Sequence, residues 1–148
     1  MDRTEFVYVT YISTTPERVW SAITDPEITR RYWQNVNISD WKPGSRWEHR
    51  DHDKLGTLRM AGKVVESDPP RRMVWTWGRP ADGDKEDKHS RVTFDIEKVE
   101  SGVVRLTVTH DRLDADPEMR KSISDGWPKV LSSLKTMLES GQPLPTLW

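Results

Sequence analysis

Residues 116–141, DPEMRKSISDGWPKVLSSLKTMLESG, form the most regular stretch of this 148-residue chain. Apolar side chains recur in it at intervals typical of one helical face: Met119, Ile123, Trp127, Val130, Leu131, Leu134 and Leu138. Asp116 before Pro117 predicts the N-terminal cap and the first helical residue. Gly141 predicts the C-terminal end. We expect the rest of the chain to form the surface on which this long helix packs.

The middle of this helix contains Gly126, Trp127 and Pro128. A proline inside a helix removes one backbone hydrogen bond and crowds the preceding turn. The sequence therefore predicts a kink or a restart near Gly126, with Asp125 capping the second half. We expect Trp127 to anchor the core beneath the helix, to form a cavity wall, or to do both.

The composition points to one globular domain spanning residues 1–148. Charged residues make up 32% of the chain, but they nearly cancel to a net charge of −1, which argues against nucleic acid and anionic membranes as partners. There is no cysteine, which excludes disulfides and thiol catalysis. No apolar run is long enough to span a membrane, and the N-terminus lacks the apolar core of a signal peptide. We therefore expect a cytoplasmic protein.

The segments before the long helix alternate between apolar and polar residues, as strands do. Residues 5–13 predict a first strand with both faces partly covered, and two short helices follow, starting at Pro16 and Pro26. About six antiparallel strands are then expected. Between two of them, residues 79–90 predict a mobile loop without apolar anchors. This order predicts an α+β domain in which a curved antiparallel sheet of six to seven strands wraps around the helix.

A set of mostly apolar side chains is predicted to face the space between sheet and helix. As ligand-binding candidates, its members are Trp47, His49, Met60, Trp75, Trp77, Phe94, Leu106, His110, Ile123 and Trp127. Aromatic walls with a few polar groups suit a flat apolar molecule. Large indoles can also simply fill such a space, and the sequence leaves both interpretations open.

Catalytic chemistry has few candidates in the sequence. His110, in phase with the apolar side of the last strand, can be a base in the pocket or a structural histidine, and His49 has the same two interpretations. His52 lies near His49, but the two point to opposite faces of a strand, so no metal site is predicted. The chain contains no phosphate-binding loop or hydrolase motif, and we predict neither a cofactor nor catalytic residues.

Several motifs, in order, resemble one superfamily. Residues 16–26 are similar to the N-terminal motif of the START-like, helix-grip (SRPBCC) superfamily, and residues 68–77 resemble its Pro-Pro turn with the following strand. Residues 104–110 resemble its last strand, and residues 126–135 resemble its closing helix. The most similar branch contains homologues of the activator of the ninety-kilodalton heat-shock chaperone's ATPase. Pro128 departs from the residue usual at that position of the helix.

The resemblance implies a helix-grip fold more firmly than a function, because the superfamily includes lipid and hormone carriers, cyclases and chaperone cofactors. The function expected first is binding of a small hydrophobic or aromatic molecule without catalysis. A chaperone-interacting module is the alternative, with a cyclase or hydrolase using His110 as a third. The activators of that branch carry a separate N-terminal domain, which we expect to be absent because the first strand starts at about Glu5. A homodimer and a chaperone remain open as partners.

Overall fold

A seven-stranded antiparallel sheet curls around one long helix in the computed structural model, which describes residues 5–113 and 116–145. The strands are β1 Phe6–Ser13, β2 Asn35–Ile38, β3 Arg46–Asp51, β4 Leu58–Asp68, β5 Arg72–Trp77, β6 Ser90–Glu100 and β7 Val103–Asp111. The helices are α1 Pro16–Thr24, α2 Pro26–Trp33 and α3 Pro117–Ser140. The predicted helix-grip fold is confirmed.

The strand order in the sheet is β1-β7-β6-β5-β4-β3-β2. The first strand and the second therefore lie at opposite edges, and the two short helices make the connection between them. The strands from β2 to β7 are joined one after another by hairpins and pair antiparallel, and β1 pairs antiparallel with β7 at the other edge. The helix α3 follows the last of these strands and packs against the concave face, where most of the apolar core lies.

Short polar residues begin each helix, as the sequence predicts. The side chain of Thr15 accepts a hydrogen bond from the backbone N–H of Arg18 in α1. Asp25 accepts one from Glu27 in α2, and Asp116 accepts one from the N–H of Met119 in α3. Each cap satisfies a backbone donor that the first helical turn leaves without an intrahelical partner.

The long helix runs without interruption through Pro128, so the predicted restart near Gly126 is wrong, and the kink remains a prediction. Asp125 does not cap a second helix; its carboxylate pairs with Lys129 at 2.9 Å on the helix surface. Proline removes a single backbone hydrogen bond at this point. The buried side chains of Trp127 and Val130, on either side of the proline in sequence, hold the helix against the sheet and outweigh that loss.

The outer face of β1 is exposed, which corrects the expectation that both faces of this strand are partly covered. Val7 and Val9 are 48% exposed and Tyr11 is 51% exposed. The physical reason is that all three helices pack on the concave side of the sheet or along its edge. At that edge, Lys135 of α3 donates to the carbonyl oxygen of Tyr11, and Glu139 accepts from the N–H of Ser13.

The segment from 79 to 90 has more structure than the sequence predicts. It contains two 3₁₀ turns, Pro80–Asp82 and Glu86–Lys88. Arg79 forms a two-pronged ion pair with Asp116 at the start of α3. His89 is buried, with one ring nitrogen 2.9 Å from the carbonyl oxygen of Gly83. The anchors of the segment are polar, and no apolar residue between 79 and 90 is buried; its mobility remains a prediction.

At Gly62 in β4, the neighbouring strand β5 approaches too closely to leave room for a side chain. A Cβ atom at this position would lie 2.1 Å from the carbonyl oxygen of Thr76 and 2.6 Å from its hydroxyl oxygen. Thr76 cannot easily move away, because its carbonyl accepts from Trp47 at 2.8 Å and its hydroxyl accepts from the N–H of Lys63 at 2.8 Å. Only glycine fits this contact.

We therefore predict opposite effects for two glycine-to-alanine substitutions. Gly62→Ala should lower the free energy of unfolding by about 3 kcal/mol or more, since the clash is with backbone rather than with a flexible side chain. Gly126→Ala, in α3, should raise it by about 0.5–1 kcal/mol, because a Cβ there meets no atom within 4 Å and alanine favours helix. Urea unfolding measures both. A Gly62→Ala variant within about 1 kcal/mol of the wild type would contradict the close approach.

Candidate ligand-binding pocket

A cluster of aromatic rings fills the middle of the space between sheet and helix. Trp47 and Trp75 stack with their ring centroids 4.3 Å apart, and both are fully buried. Phe94 and Trp75 make an edge-to-face contact with their ring centroids 4.8 Å apart, and the centroids of Trp77 and Trp47 are 5.5 Å apart. Offset and edge-to-face contacts of this kind stabilise a core beyond the area that they bury. Side chains therefore fill this part of the predicted cavity.

Beside the aromatic cluster lies an open pocket with a volume of about 460 Å³. Its walls come from the end of α2, from β2 to β5 and from α3. The residues that line it are Trp33, Gln34, Asn35, His49, Asp51, His52, Arg59, Met60, Trp77, Ser122, Ile123, Gly126, Trp127 and Val130. The inner walls are aromatic and aliphatic, and the charged residues Asp51 and Arg59 come from β3 and β4.

Half of the ten predicted site residues line this pocket. They are His49, Met60, Trp77, Ile123 and Trp127. The other five belong to the packed core: Trp47, Trp75, Phe94, Leu106 and His110, each no more than 1% exposed. Both groups share the concave side of the sheet. The second group does not reach the pocket, because its side chains pack against each other and against α3 in the middle of the domain.

The other pocket residues were not predicted from the sequence. Ser122, Gly126 and Val130 follow at intervals of four residues on α3, so the helical period places them on one face with Ile123. That period was a usable signal. Trp33 closes the pocket from the end of α2, and its ring lies 5.5 Å from that of Trp127. This contact depends on how the two helices pack, and no local sequence pattern predicts it.

His110 is sealed inside the core by two hydrogen bonds. The indole N–H of Trp127 donates to its Nδ1 at 3.1 Å, so this nitrogen is an acceptor. Its Nε2 therefore carries the hydrogen and donates to the hydroxyl of Ser90 at 2.7 Å. Ser90 in turn donates to the carbonyl oxygen of Trp77 at 3.3 Å. With both ring nitrogens occupied, His110 has no free lone pair with which to act as a base.

Both histidines have partners that fix their tautomers, and these partners lie far from them in the sequence. Ser90 and Trp127 fix the tautomer of His110, and Asn37 contacts Nδ1 of His49 at 2.6 Å. These pairings join different elements of the fold, and only the sheet register and the packing of α3 bring them together.

Burial keeps both histidines neutral. It lowers the pKa of His49 to about 3 and that of His110 to about 4, although the nearby charge of Asp51 acts in the opposite direction on His49 and that of Asp111 on His110. The imidazoles in the pocket and in the core therefore act as uncharged hydrogen-bonding groups at neutral pH.

The rim of the pocket carries paired charges. Asp51 accepts a hydrogen bond from Arg59 at 2.7 Å, and His52 lies 3.2 Å from the same carboxylate. The hydrogen bond from Arg59 is the main reason that the pKa of Asp51 lies below its usual range. Across residues 5–113 and 116–145, no group of three His, Asp or Glu side chains converges to hold a metal ion.

Comparison with known proteins identifies the family of this chain. The model of the family described as Activator of Hsp90 ATPase homolog 1-like protein matches residues 13–139. The chain belongs to this family. The match covers every element from the end of β1 to the last turn of α3, so the pocket lies within the region that the family model matches.

Solved structures with the same fold support the family architecture. The Aha1 dimer from Colwellia psychrerythraea is 22% identical, over 93% of this chain and 97% of that chain, with a TM-score of 0.76. An HSP90 activator from Plasmodium falciparum is 20% identical, over 91% and 96%, with a TM-score of 0.72. CalU16 from Micromonospora echinospora is 22% identical, over 95% and 77%, with a TM-score of 0.74.

The comparison with curated proteins gives no match. Within the part of the chain that the structure describes, no helix has the length and apolar character needed to cross a membrane.

The buried neutral histidines predict a loss of stability in mild acid. Below pH 6.5 the unfolded imidazoles take up protons, whereas His49 and His110 stay neutral in the folded state until about pH 3 and about pH 4. Stability is fully present above pH 6.5 and falls as the pH drops through this window. Replacing either histidine by Gln should reduce the loss between pH 7 and pH 5 by about 1–2 kcal/mol.

Urea unfolding of the wild type and of both variants at several pH values measures this difference. Between pH 7 and pH 8, where neither histidine titrates, the three proteins should show the same pH dependence. If the variants lost as much stability as the wild type between pH 7 and pH 5, the two imidazoles would not be held neutral by the fold.

Proposed function

We propose that this protein binds a small apolar, mainly aromatic molecule in the pocket beneath α3. The observation that supports this most is an open pocket of about 460 Å³ whose inner walls are three indole rings and several aliphatic side chains. That volume lies within the range of pockets that hold small organic ligands. The fold keeps the space open, because the aromatic cluster fills the middle of the domain and stops short of this end.

The three indoles are already arranged for a flat ligand. Trp127 stands between the other two, with its ring centroid 5.5 Å from that of Trp33 and 5.6 Å from that of Trp77. All three side chains are at least nine-tenths buried, so they have little freedom to lose when a ligand binds. Rigid aromatic walls lower the entropic cost of binding and offer stacking faces.

The proposal includes no reaction. His110 has no free lone pair in this arrangement, since Trp127 and Ser90 occupy both of its nitrogens. His49 faces the pocket, but the carboxylate nearest to it in the lining, Asp51, is bound by Arg59. General acid–base catalysis requires groups that reach the reacting atoms in the correct protonation state. The geometry favours binding over turnover.

A fluorescent apolar probe tests the pocket directly. N-phenyl-1-naphthylamine should bind with a rise in its emission and quench tryptophan fluorescence. Gly126 lies in the middle of the helical face that lines the pocket, and a Cβ there has free space around it. Gly126→Phe should therefore fill the pocket and weaken binding of the probe at least tenfold without removing a packed side chain.

The matched control adds the same side chain where it meets solvent. Lys121→Phe lies on the exposed face of the same helix and should bind the probe as the wild type does. Circular dichroism checks that both variants are folded. Probe binding that is unaffected by Gly126→Phe would show that the probe binds elsewhere and would overturn the proposal.

Interaction with a chaperone is the second candidate function. It is favoured by membership in the Activator of Hsp90 ATPase homolog 1-like family, which covers residues 13–139. If this chain acts in that way, adding it to a purified HSP90 chaperone should raise the rate of ATP hydrolysis. An unchanged rate at high concentrations of both proteins would count against this candidate.

A second copy of the chain is the partner favoured by the surface of β1. Val7, Val9 and Tyr11 present three apolar side chains to solvent from an edge strand of the sheet. One structural relative is a dimer of Aha1 from Colwellia psychrerythraea. Light scattering after size-exclusion chromatography should give the mass of a dimer, and a monomer mass across the accessible concentration range would refute the pairing.

A further inference from the structure

We infer, on the basis of the proposed function, that the ligand is a neutral aromatic molecule carrying a hydrogen-bond donor, such as a phenol. The ligand donates this hydrogen bond to Nε2 of His49, which lines the pocket beneath α3. Only His49 can play this part, because both ring nitrogens of His110 already form hydrogen bonds within the core. The bond to the ligand depends on which nitrogen of His49 carries hydrogen, and the surrounding structure determines that.

A chain of buried hydrogen bonds fixes the orientation of Asn37 first. Its side-chain NH₂ donates to the carbonyl oxygen of Ile23 at 3.1 Å, at the end of α1. Its backbone N–H donates to the hydroxyl of Thr29 in α2 at 3.2 Å. Asn37 is fully buried, so reversing the amide would leave two polar groups unpaired. The amide oxygen must therefore point the other way, toward β3.

This oxygen determines the tautomer of His49. It lies 2.6 Å from Nδ1, and an amide oxygen can only accept, so Nδ1 carries the hydrogen. In a neutral imidazole the other nitrogen then has a lone pair. Among the residues that the structure describes, none donates to Nε2 of His49.

The surroundings of His49 favour a ligand that contributes the missing donor. His49 is 5% exposed and lines the pocket, with the ring of Trp33 4.6 Å away and that of Trp77 5.8 Å away. A ligand that covered this nitrogen without supplying a donor would leave an unpaired polar group in apolar surroundings, which is costly. A ligand hydroxyl or N–H can satisfy it while the aromatic body of the ligand lies against the indoles.

The same geometry disfavours an organic acid. A carboxylate would face the lone pair of His49 and be repelled by it. Arg59, the arginine of the pocket lining, already donates to Asp51 at 2.7 Å, and its side chain is 55% exposed at the rim. An incoming carboxylate would have to displace that partner while losing its own hydration. A neutral donor has neither cost.

Two naphthalenes that differ by one methyl group test the inference. Dissociation constants for 2-naphthol and 2-methoxynaphthalene are measured by displacement of N-phenyl-1-naphthylamine from the wild type and from His49→Phe. In the wild type the naphthol should bind about three- to tenfold more tightly, as one hydrogen bond to a neutral acceptor predicts. In His49→Phe the two constants should agree within about twofold, because the acceptor is gone.

A spectroscopic measurement on the wild type avoids dependence on the folding of the variant. The ¹⁵N resonance of His49 Nε2 should be of the unprotonated type in the free protein and should move upfield with naphthol and not with the ether. Equal affinity for the two compounds in the wild type, or a preference for naphthol that survives in His49→Phe, would overturn the inference while leaving the pocket intact. Failure of all three naphthalenes to bind would instead overturn the proposed function.

Discussion

The hydrogen bond from the indole of Trp127 to His110 is the contact on which the arrangement beneath the helix depends. It ties the middle of α3 to β7 across the core, 3.1 Å from nitrogen to nitrogen. It also fixes the tautomer of His110, which then donates to Ser90 of the neighbouring strand. With its polar atom held in the core, the Trp127 ring is available as a wall of the pocket. This hydrogen bond thus positions the helix, occupies the lone pair of His110 and orients the Trp127 ring toward the pocket.

The concave side of the sheet is divided between a filled part and an open part. In the filled part, Trp47 and Trp75 stack on each other, and the close approach of Thr76 to Gly62 brings β4 and β5 together. In the open part, Trp33 at the end of α2 and Trp127 of α3 line the pocket, and Gly126 contributes no side chain to fill it. A glycine at the centre of that face keeps the volume available, at a small cost in helix stability.

The sequence predicts most of the fold because its signals are local. The helical period of α3, the caps at Thr15 and Asp116, and the alternation of the strands are each encoded within a few residues. The site is predicted only in part. Alternation shows which side chains face inward, but it does not show that Trp47 and Trp75 meet each other rather than a cavity. Nor does it show that Asn37 fixes the tautomer of His49, since that contact joins two strands and two helices.

The central claim is that a ligand enters the pocket beneath α3 while the aromatic core stays closed. The indole N–H resonances of the tryptophans report on this claim, because they sample the pocket and several distant positions in one ¹⁵N–¹H spectrum. Saturating N-phenyl-1-naphthylamine should shift the resonances of Trp33, Trp77 and Trp127, which line the pocket, and leave those of Trp20 and Trp41 unchanged. Shifts confined to Trp20 and Trp41, or a spectrum without change at saturation, would contradict it.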